Sequence, residues 1–337
     1  MKAIVCEEIE RFAFVEMQEP AVKAGEAIVR IKRIGICGTD LHAYKGNQPF
    51  FSYPRVLGHE LSGYVEEVGE GVPGLQIGDQ VSVVPYMHCG TCIACRKGST
   101  NCCTHMKVLG VHMDGGMREL VSIPASHLIK TAGLTLDQAA MLEPLSIGAH
   151  AVRRSGLRAG ETALVIGAGP IGLGVMILAK LFGANVIAMD INDERLAFCR
   201  KWAGVDHTVN ALQQPKEQLS ALTNGDMPTV VFDATGNARS MTDSFGLVAH
   251  GGKLVYVGLV KADITFHDPD FHKRELTLLG SRNATMDDFD TVYEAMQTGV
   301  IDIESYITHR VSFEDMIGQF ETWLKPESKV IKAIVCL

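Results

Sequence analysis

The apolar and polar residues of the chain follow two different patterns, which meet near residue 145. Before that point the apolar residues come in short alternating runs, such as 27–32, and glycine and proline are frequent between residues 58 and 85. Alternation of this kind is typical of half-buried strands, and the glycines and prolines indicate tight turns between them. Residues 1–145 are therefore predicted to form a β-rich domain.

Beyond residue 142 short β-branched runs alternate with helical patterns. Strands are predicted at 163–166, 186–189, 230–232, 254–257 and 276–279, and helices are predicted to end near Phe182 and to cover 193–202 and 287–297. This alternation favours a doubly wound parallel sheet of the α/β class over residues 146–285. The last segment, 286–337, ends in a strand-like run and is predicted to return to the first domain.

Length and charge limit the number of domains and the possible partners of the protein. The 337 residues exceed what one ordinary core holds, which agrees with two domains. A formal net charge of −8 without a basic run gives a nucleic-acid partner no electrostatic support. The chain has no apolar run long enough to cross a bilayer, and it begins with acids where a signal peptide has its apolar core. We therefore expect a cytoplasmic protein that binds neither nucleic acid nor a membrane.

Nine cysteines, an odd number in a long chain without an export signal, indicate metal binding rather than a disulfide framework. Four of them lie close together in a lobe of about residues 86–106: Cys89, Cys92, Cys95 and Cys103. Two-residue spacings let thiolates converge on one ion, and four sulfur ligands leave no position open for substrate. The lobe is therefore predicted to hold a structural zinc, with Cys102 as a competing fourth ligand.

A second ligand set is spread over two short motifs, 35–42 and 58–60. Cys37, His59 and Glu60 offer a thiolate, an imidazole and a carboxylate. Zinc accepts such mixed sets, and a catalytic zinc keeps one position open for water or substrate. This set is therefore predicted to be the catalytic metal site.

Four further residues complete this prediction. Thr39 and His42 lie beside the thiolate and are placed to move a proton, and Asp40 is suited to orient the histidine ligand. Glu143 is an acid inside an apolar run, where burial is costly unless it meets a charge or a metal. We take Glu143 as a zinc ligand, direct or through water; the alternative is a surface acid before a proline.

A glycine loop follows the first predicted strand of the second domain and opens a helix: Gly167, Ala168, Gly169, Pro170, Ile171 and Gly172. An acid, Asp190, ends the next predicted strand. In this context a GxGxxG motif is typical of dinucleotide binding, because the glycines let the backbone approach a pyrophosphate at the helix N-terminus. The acid suits the ribose hydroxyls and repels a 2′-phosphate, so NAD is favoured over NADP.

Together these motifs, in this order along essentially the whole chain, resemble the zinc-dependent medium-chain dehydrogenases. The resemblance implies a GroES-like β-rich catalytic domain and a Rossmann domain, with the active site in the cleft between them. It also implies a homodimer or homotetramer. The Glu143-Pro144 pair resembles the polyol and threonine dehydrogenase branch, where such a glutamate replaces a cysteine ligand. The same resemblance leaves two roles open for Glu60: a permanent metal ligand, or a ligand only when substrate is absent.

Two further segments, 46–54 and 280–285, look like those of bacterial sugar-acid 5-dehydrogenases that act on L-galactonate or L-gulonate. The carboxylate of such a substrate requires a cation or several donors. Arg282 is the candidate, with Asn283 and His112 as helpers; the alternative for Arg282 is a surface residue after the last strand. The aromatic residues of 46–54 either line the substrate cleft or anchor their loop.

The predicted reaction is the NAD-dependent oxidation of a secondary alcohol, with a polyhydroxy acid or a polyol as the substrate. The metal lowers the pKa of the substrate hydroxyl, and the nicotinamide accepts the hydride. By resemblance, Thr39 relays the proton through the cofactor ribose to His42. The alternatives are a polyol or L-threonine dehydrogenase of the same family, a reductase without catalytic zinc, and a non-enzymatic nucleotide-binding protein.

Overall fold

The computed structural model describes residues 1–48 and 51–337. The chain forms two compact units, the first made of residues 1–143 and 293–337 and the second of residues 144–292. The boundaries that the sequence pattern predicts are 145 and 285. Within the described residues, no helix combines the length and the apolar character that crossing a membrane requires.

Short strands dominate the first segment of unit 1. In chain order its elements are β1 (Lys2–Glu8), β2 (Arg11–Glu16), β3 (Glu26–Ile36), α1 (Gly38–Tyr44), β4 (Arg55–Val56), β5 (Glu60–Val68), β6 (Gln80–Val83), β7 (Tyr86–Met87), α2 (Ile93–Arg96), β8 (Lys107–Val108), β9 (Leu120–Pro124), β10 (Leu128–Lys130) and α3 (Leu136–Ala140). The next helix, α4 (Leu142–Ser155), begins at the end of this segment and lies mostly in unit 2. The first segment is β-rich, as the alternating pattern predicts.

Strands and helices alternate through unit 2. Its elements are β11 (Thr162–Ile166), α5 (Pro170–Leu181), β12 (Asn185–Asp190), α6 (Asp193–Trp202), β13 (His207–Asn210), α7 (Pro215–Leu222), β14 (Val230–Asp233), α8 (Ala238–Asp243), β15 (Lys253–Tyr256), α9 (Asp268–Lys273), β16 (Thr277–Gly280) and α10 (Met286–Gln297). The strands form one parallel sheet in the order β13-β12-β11-β14-β15-β16. This is the doubly wound order of dinucleotide-binding sheets. The chain adds strands outward on one side of β11 and then, from β14, on the other side.

The last segment completes unit 1 with α11 (Ile303–Tyr306), β17 (Ile307–Ser312), α12 (Met316–Trp323) and β18 (Lys332–Cys336). The main sheet of unit 1 has the order β10-β6-β5-β3-β18-β17, and β9 also pairs with β3. The C-terminal strand β18 therefore lies directly beside β3, antiparallel to it, with Ala333 opposite Ile36. Side chains from both segments, such as Ile31, Ile34 and Val335, share one buried core.

Candidate functional site

Cys37, His59 and Glu60 converge because two neighbouring strands end at the same place. Cys37 follows the last residue of β3, and His59 and Glu60 lie at the start of β5. The two strands are antiparallel, with Gly35 opposite Glu60. One ligand atom from each of the three side chains lies within 4.8 Å of the others, a spacing that a single metal ion bridges.

Asp40 holds the two ligand-bearing segments together. Its side chain is fully buried, and its carboxylate accepts hydrogen bonds from the backbone N–H of Cys37 at 2.9 Å and of Gly58 at 3.2 Å. The same carboxylate lies 3.8 Å from Nδ1 of His59. At this distance Asp40 accepts no hydrogen bond from the ring, and Nδ1 of His59 has no hydrogen-bond partner among the described residues. The orienting role of Asp40 towards His59 stays a prediction.

Glu60 is buried, and its two carboxylate oxygens have different surroundings. Oε1 accepts a hydrogen bond from the ammonium group of Lys332, and Oε2 has no hydrogen-bond partner among the described residues. The carboxylate has room because position 35 is glycine: a Cβ there would lie 2.0 Å from Oε2. An unpaired buried carboxylate oxygen is costly, and a metal ligated at Oε2 removes that cost.

Glu143, the fourth candidate ligand, lies in the same buried region of unit 1. It is 4% exposed, and its Oε1 accepts a hydrogen bond from the hydroxyl of Tyr86. Burial, with the charge of Glu60 adding to it, raises the pKa of Glu143 to about 7. Its oxygens are not part of the group of ligand atoms within 4.8 Å found among the described residues. Ligation by Glu143, direct or through water, stays a prediction.

The electrostatics of this cluster favour a cation. Burial lowers the pKa values of His59 and Lys332, yet both are raised because nearby acids outweigh it: Asp40 and Cys37 act on His59, and Glu60 and Cys37 act on Lys332. A pocket of this sign attracts a divalent ion, which deprotonates thiol and imidazole ligands on binding. The donor set of sulfur, nitrogen and oxygen fits zinc.

Thr39 and His42 lie on α1, three residues apart, and therefore on the same side of the helix. Thr39 is half-buried two residues after the candidate ligand Cys37, whereas His42 is exposed to solvent. This gradient from buried to exposed is what a proton path from an active site to water requires.

The four-cysteine lobe also has the geometry of a metal site. The sulfurs of Cys89, Cys92, Cys95 and Cys103 lie within 4.8 Å of one another. Cys103 is buried, and its sulfur accepts hydrogen bonds from the N–H groups of Cys89 and His105, both at 3.3 Å. Cys102 is exposed and is not a member of the group.

Two cysteines of the lobe have pKa values that are shifted in opposite directions. Hydrogen bonds from Thr91, from its hydroxyl and its backbone N–H, and from the N–H of Cys92 lower the pKa of Cys89 to about 5. Desolvation and hydrogen bonds with neighbouring sulfurs raise the pKa of Cys95 to about 12. Thiolates are the form that binds zinc, and a bound zinc lets all four cysteines ionise together.

The glycine loop in unit 2 connects β11 to α5 at the point where the sheet order reverses. Gly167 has a φ of 98°, in the left-handed region that favours glycine. A Cβ on Gly172 would lie 1.8 Å from the carbonyl oxygen of Gly167, so the helix packs against the loop only with glycine there. A Cβ on Gly169 would meet nothing within 4 Å, which leaves open space at the helix N-terminus.

Asp190 lies at the end of β12, beside the glycine loop. Its Oδ2 accepts a hydrogen bond from the N–H of Ala168 at 2.7 Å, and its Oδ1 accepts one from the N–H of Asn192 at 2.9 Å. The open helix N-terminus and the adjacent acid fit the pyrophosphate and the adenosine ribose of a dinucleotide, respectively. Pro170 and Ile171 form the first turn of α5.

The predicted substrate residues lie in two loops, one in each unit. Arg282 is exposed just after β16, and Asn283 next to it has a φ of 54°. In unit 1, Nδ1 of His112 accepts a hydrogen bond from the N–H of Val108 at 3.1 Å, which places the proton of a neutral ring on Nε2.

The aromatic loop of unit 1 is described only in part. Pro49 and Phe50 lie outside the described residues. Phe51 and Tyr53 pack edge to face, with ring centroids 4.9 Å apart, against the core of unit 1. Their packing is that of loop anchors.

Sequence reasoning missed Lys332 and the steric role of Gly35. Lys332 interrupts the apolar run 330–335, the same signal that singled out Glu143. A charge with apolar neighbours on both sides is a candidate for a buried pair. No comparable signal marks Gly35, because its role depends on which residue the strand register places opposite it.

Comparisons with known proteins identify the family of the chain. The family model "Alcohol dehydrogenase GroES-like domain" matches residues 23–133, and the model "Zinc-binding dehydrogenase" matches residues 170–298. The chain is 40% identical to L-galactonate-5-dehydrogenase of Escherichia coli K12, over 99% of this chain and 98% of that protein. It is 35% identical to 2-dehydro-3-deoxy-L-galactonate 5-dehydrogenase of Pseudoalteromonas atlantica, over 92% and 91% of the two chains.

A solved structure of a relative has the same fold as this chain. RspB of Escherichia coli CFT073, described as a short chain alcohol dehydrogenase in complex with NADH, superposes with a TM-score of 0.94. It is 32% identical, and the match covers 100% of this chain and 99% of that one. The chain belongs to the zinc-dependent, NAD-linked alcohol dehydrogenases, oxidoreductases that combine a GroES-like domain with a Rossmann-like domain.

Proposed function

We propose that the protein oxidises the C5 hydroxyl of a six-carbon sugar acid, L-galactonate or L-gulonate, to a keto-uronate, with NAD as the hydride acceptor. The similarity over nearly the whole chain to an L-galactonate-5-dehydrogenase carries this proposal. A second relative, named for a related galactonate, is also a 5-dehydrogenase. The reaction balances as alcohol plus NAD⁺ giving ketone, NADH and one proton.

The first requirement is to hold the reacting hydroxyl. Cys37, His59 and an acid, Glu60 or Glu143, would hold a zinc ion, and this ion would supply Lewis-acid activation that lowers the pKa of the hydroxyl. Asp40 keeps the ligand-bearing segments in place through its bonds to two backbone N–H groups. The protein thus provides a preformed donor set rather than one assembled on substrate binding.

The second requirement is to remove the hydroxyl proton; bound NAD would supply the hydride acceptor. We assign the first step of the proton path to the hydroxyl of Thr39 and the last to His42. Half-burial of Thr39 and exposure of His42 support this direction. An imidazole is the side chain best suited to pass a proton to water near neutral pH.

The third requirement is to bind the substrate carboxylate, which we assign to Arg282 with help from Asn283 and His112. A guanidinium donates paired hydrogen bonds to a carboxylate. The position of Arg282, exposed at the carboxyl end of β16, supports the assignment because ligands of such sheets bind at that edge.

The substrate is tested by measuring NADH formation with L-galactonate, L-gulonate, sorbitol and L-threonine, each with NAD and NADP. We expect the highest kcat/KM with an aldonate and NAD. Turnover of sorbitol or L-threonine without any aldonate turnover would refute the sugar acid and leave the enzyme class intact. A Cys37→Ala variant that keeps full turnover would overturn the assignment of the catalytic metal site.

A charge-specific test addresses Arg282. Charge-assisted hydrogen bonds contribute about 1.5–3 kcal/mol, so Arg282→Met should raise KM for the aldonate about 10- to 100-fold. KM for a neutral polyol should stay the same, because a polyol has no carboxylate. The control is Arg239→Met, which removes an arginine side chain of the same unit that is 91% exposed. An equal loss for both substrates would contradict the carboxylate role.

We also propose that the protein works in the cytoplasm as a homodimer or homotetramer. Resemblance to the family supports both the assembly and the location. Light scattering coupled to size exclusion tests the assembly: a mass of 36.5 kDa, that of one chain, would contradict it.

A further inference from the structure

Lys332 is a fully buried lysine whose role the reaction described above does not explain. Its side chain is 1% exposed. Of all lysines and arginines in the described ranges 1–48 and 51–337, it alone is in the buried class. It also lies outside both segments that the family models match, 23–133 and 170–298. Burying an ammonium group is costly unless a charge and hydrogen bonds compensate it.

Strand register places Lys332 at the catalytic metal site. β18 runs antiparallel to β3 with Ala333 opposite Ile36, so the preceding residue, Lys332, lies across from Cys37. The ammonium group donates a hydrogen bond to the carbonyl oxygen of Ile36 at 3.0 Å. The C-terminal segment thus delivers a cation to the back of a site built by residues 37–60.

The second partner of Lys332 is the ligand Glu60. Its Oε1 accepts from the ammonium group, while its Oε2 has no hydrogen-bond partner among the described residues. Because position 35 lacks a Cβ, the backbone leaves Oε2 the space that it occupies. Lys332 therefore fixes the carboxylate in one orientation and leaves one particular oxygen available.

The charges of the site explain why a cation is needed there. Cys37, Asp40 and Glu60 are acidic groups gathered at one site, and the charge of Glu143 also acts on Lys332. A divalent ion offsets two negative charges of such a set, and the ammonium group of Lys332 offsets one more. Lys332 thus lowers the surplus negative charge that an anionic ligand set brings to this site.

We propose that Lys332 is a positioning residue for the catalytic metal: it holds Oε1 of Glu60 so that Oε2 is the ligand atom, and it balances the charge of the ligand set. The inference concerns metal binding alone and does not depend on the identity of the substrate. Supporting partners of metal ligands typically change metal affinity about 10- to 100-fold when they are removed.

The test measures zinc release by a chelator from the purified holoenzyme. Lys332→Met should speed the loss of one zinc per chain about 10- to 100-fold. The other zinc, in the four-cysteine lobe, should leave at the wild-type rate and thereby report an intact fold. Lys32→Met is the matched control, because Lys32 lies in β3 of the same sheet with a half-exposed side chain. Wild-type release of both zinc ions from Lys332→Met would overturn the proposal.

A double-mutant comparison separates positioning from a structural role. If Lys332 acts through Glu60, adding Lys332→Met to Glu60→Gln should leave the release rate of Glu60→Gln unchanged. The double variant removes both charges of the buried pair, a change that is often neutral for stability, so it serves even if Lys332→Met alone does not fold. A double variant that releases zinc much faster than Glu60→Gln would refute the proposal.

Cobalt gives an independent readout. With Co²⁺ in place of zinc at the catalytic site, Lys332→Met should alter the visible absorption bands of that ion, because its oxygen ligand changes orientation. The bands of cobalt in the four-cysteine lobe should not change. Identical spectra for the variant and the wild type would also overturn the proposal.

Discussion

Single residues control the catalytic metal site through the space they leave as well as through their ligand atoms. Cys37, His59 and Glu60 are recognisable in the sequence because their side chains are ones that bind zinc. Gly35 and Lys332 are not recognisable in that way. Their roles follow from the register of β3 with β5 and with β18, and strand register between distant segments is not readable from local patterns.

Gly35→Ala is expected to weaken the catalytic metal site. Its new Cβ would lie 2.0 Å from Oε2 of Glu60 and 2.8 Å from the side chain of Met141, so the carboxylate must move. We predict that the catalytic zinc is released about 10- to 100-fold faster. Gly318→Ala, in α12, is the control, since its Cβ would meet nothing within 4 Å. Retention of zinc as tight as in the wild type would contradict the steric role.

Substitution of two glycines of the dinucleotide loop should affect two different properties, NAD binding and stability. Gly169→Ala should leave the melting temperature unchanged and weaken NAD binding by about tenfold, ~1.4 kcal/mol, because its Cβ enters the open space where the pyrophosphate is expected. Gly172→Ala should lower stability by about 1–3 kcal/mol, the usual cost of overpacking, because its Cβ would meet the carbonyl of Gly167. Calorimetric melting and NAD titration distinguish the two, and identical behaviour would refute this division of roles.

At the scale of elements, a buried network holds the start of α10 against α4 within unit 2. Asp288 is 1% exposed and accepts hydrogen bonds from His150 Nδ1 at 2.9 Å, Arg153 Nε at 2.7 Å and Thr285 N–H at 2.8 Å. Burial alone would raise the pKa of Asp288, but these bonds hold it well below its ordinary value of 3.8. The network fixes the end of the loop that carries Arg282.

Asp288→Asn should destabilise the protein by about 1.5–3 kcal/mol near neutral pH, because it removes the buried carboxylate that accepts charge-assisted hydrogen bonds from Arg153 and His150. The pKa of Asp288 is lower in the folded protein than in the unfolded chain, where it is about 3.9. Asp288 therefore stabilises the fold fully above about pH 3.9, and this stabilisation is lost as the pH falls towards the pKa of the folded state. Denaturant unfolding from pH 6 to pH 2 measures this. Asp287→Asn, at the exposed neighbouring position, is the control. A difference between wild type and Asp288→Asn that does not shrink in acid would contradict the assignment.

The sequence predicts the positions of most strands and helices of unit 2. For unit 1 it predicts β-structure but not which strands pair. Buried strands such as Ala163–Ile166 stand out because parallel strands covered on both faces are continuously apolar. In unit 1 the strands are short and pair over long distances, so the pattern predicts β-structure without its pairing. The C-terminal strand is readable as a strand, but its insertion between β3 and β17 depends on contacts that the local sequence does not contain.

At the scale of the whole molecule, the candidate catalytic metal site gathers Cys37, His59 and Glu60 from the first segment of unit 1, and Lys332 contacts Glu60 from the last segment. Dehydrogenase chemistry is confirmed by the family to which the chain belongs, with zinc and NAD as its cofactors. The residues that we propose for substrate binding, such as Arg282, lie instead in exposed loops, whose sequences vary more than those of packed elements. This is why the fold and the ligands are more predictable than the substrate.

The most direct measurement is the fate of the hydrogen on C5 of the substrate. L-Galactonate labelled with deuterium at C5 is incubated with the zinc-loaded enzyme and NAD, and the NADH formed is analysed by mass spectrometry. We predict one deuterium in each NADH and a keto-uronate that retains no deuterium at that carbon. NADH without deuterium, or no NADH at all, would contradict the proposed oxidation at C5.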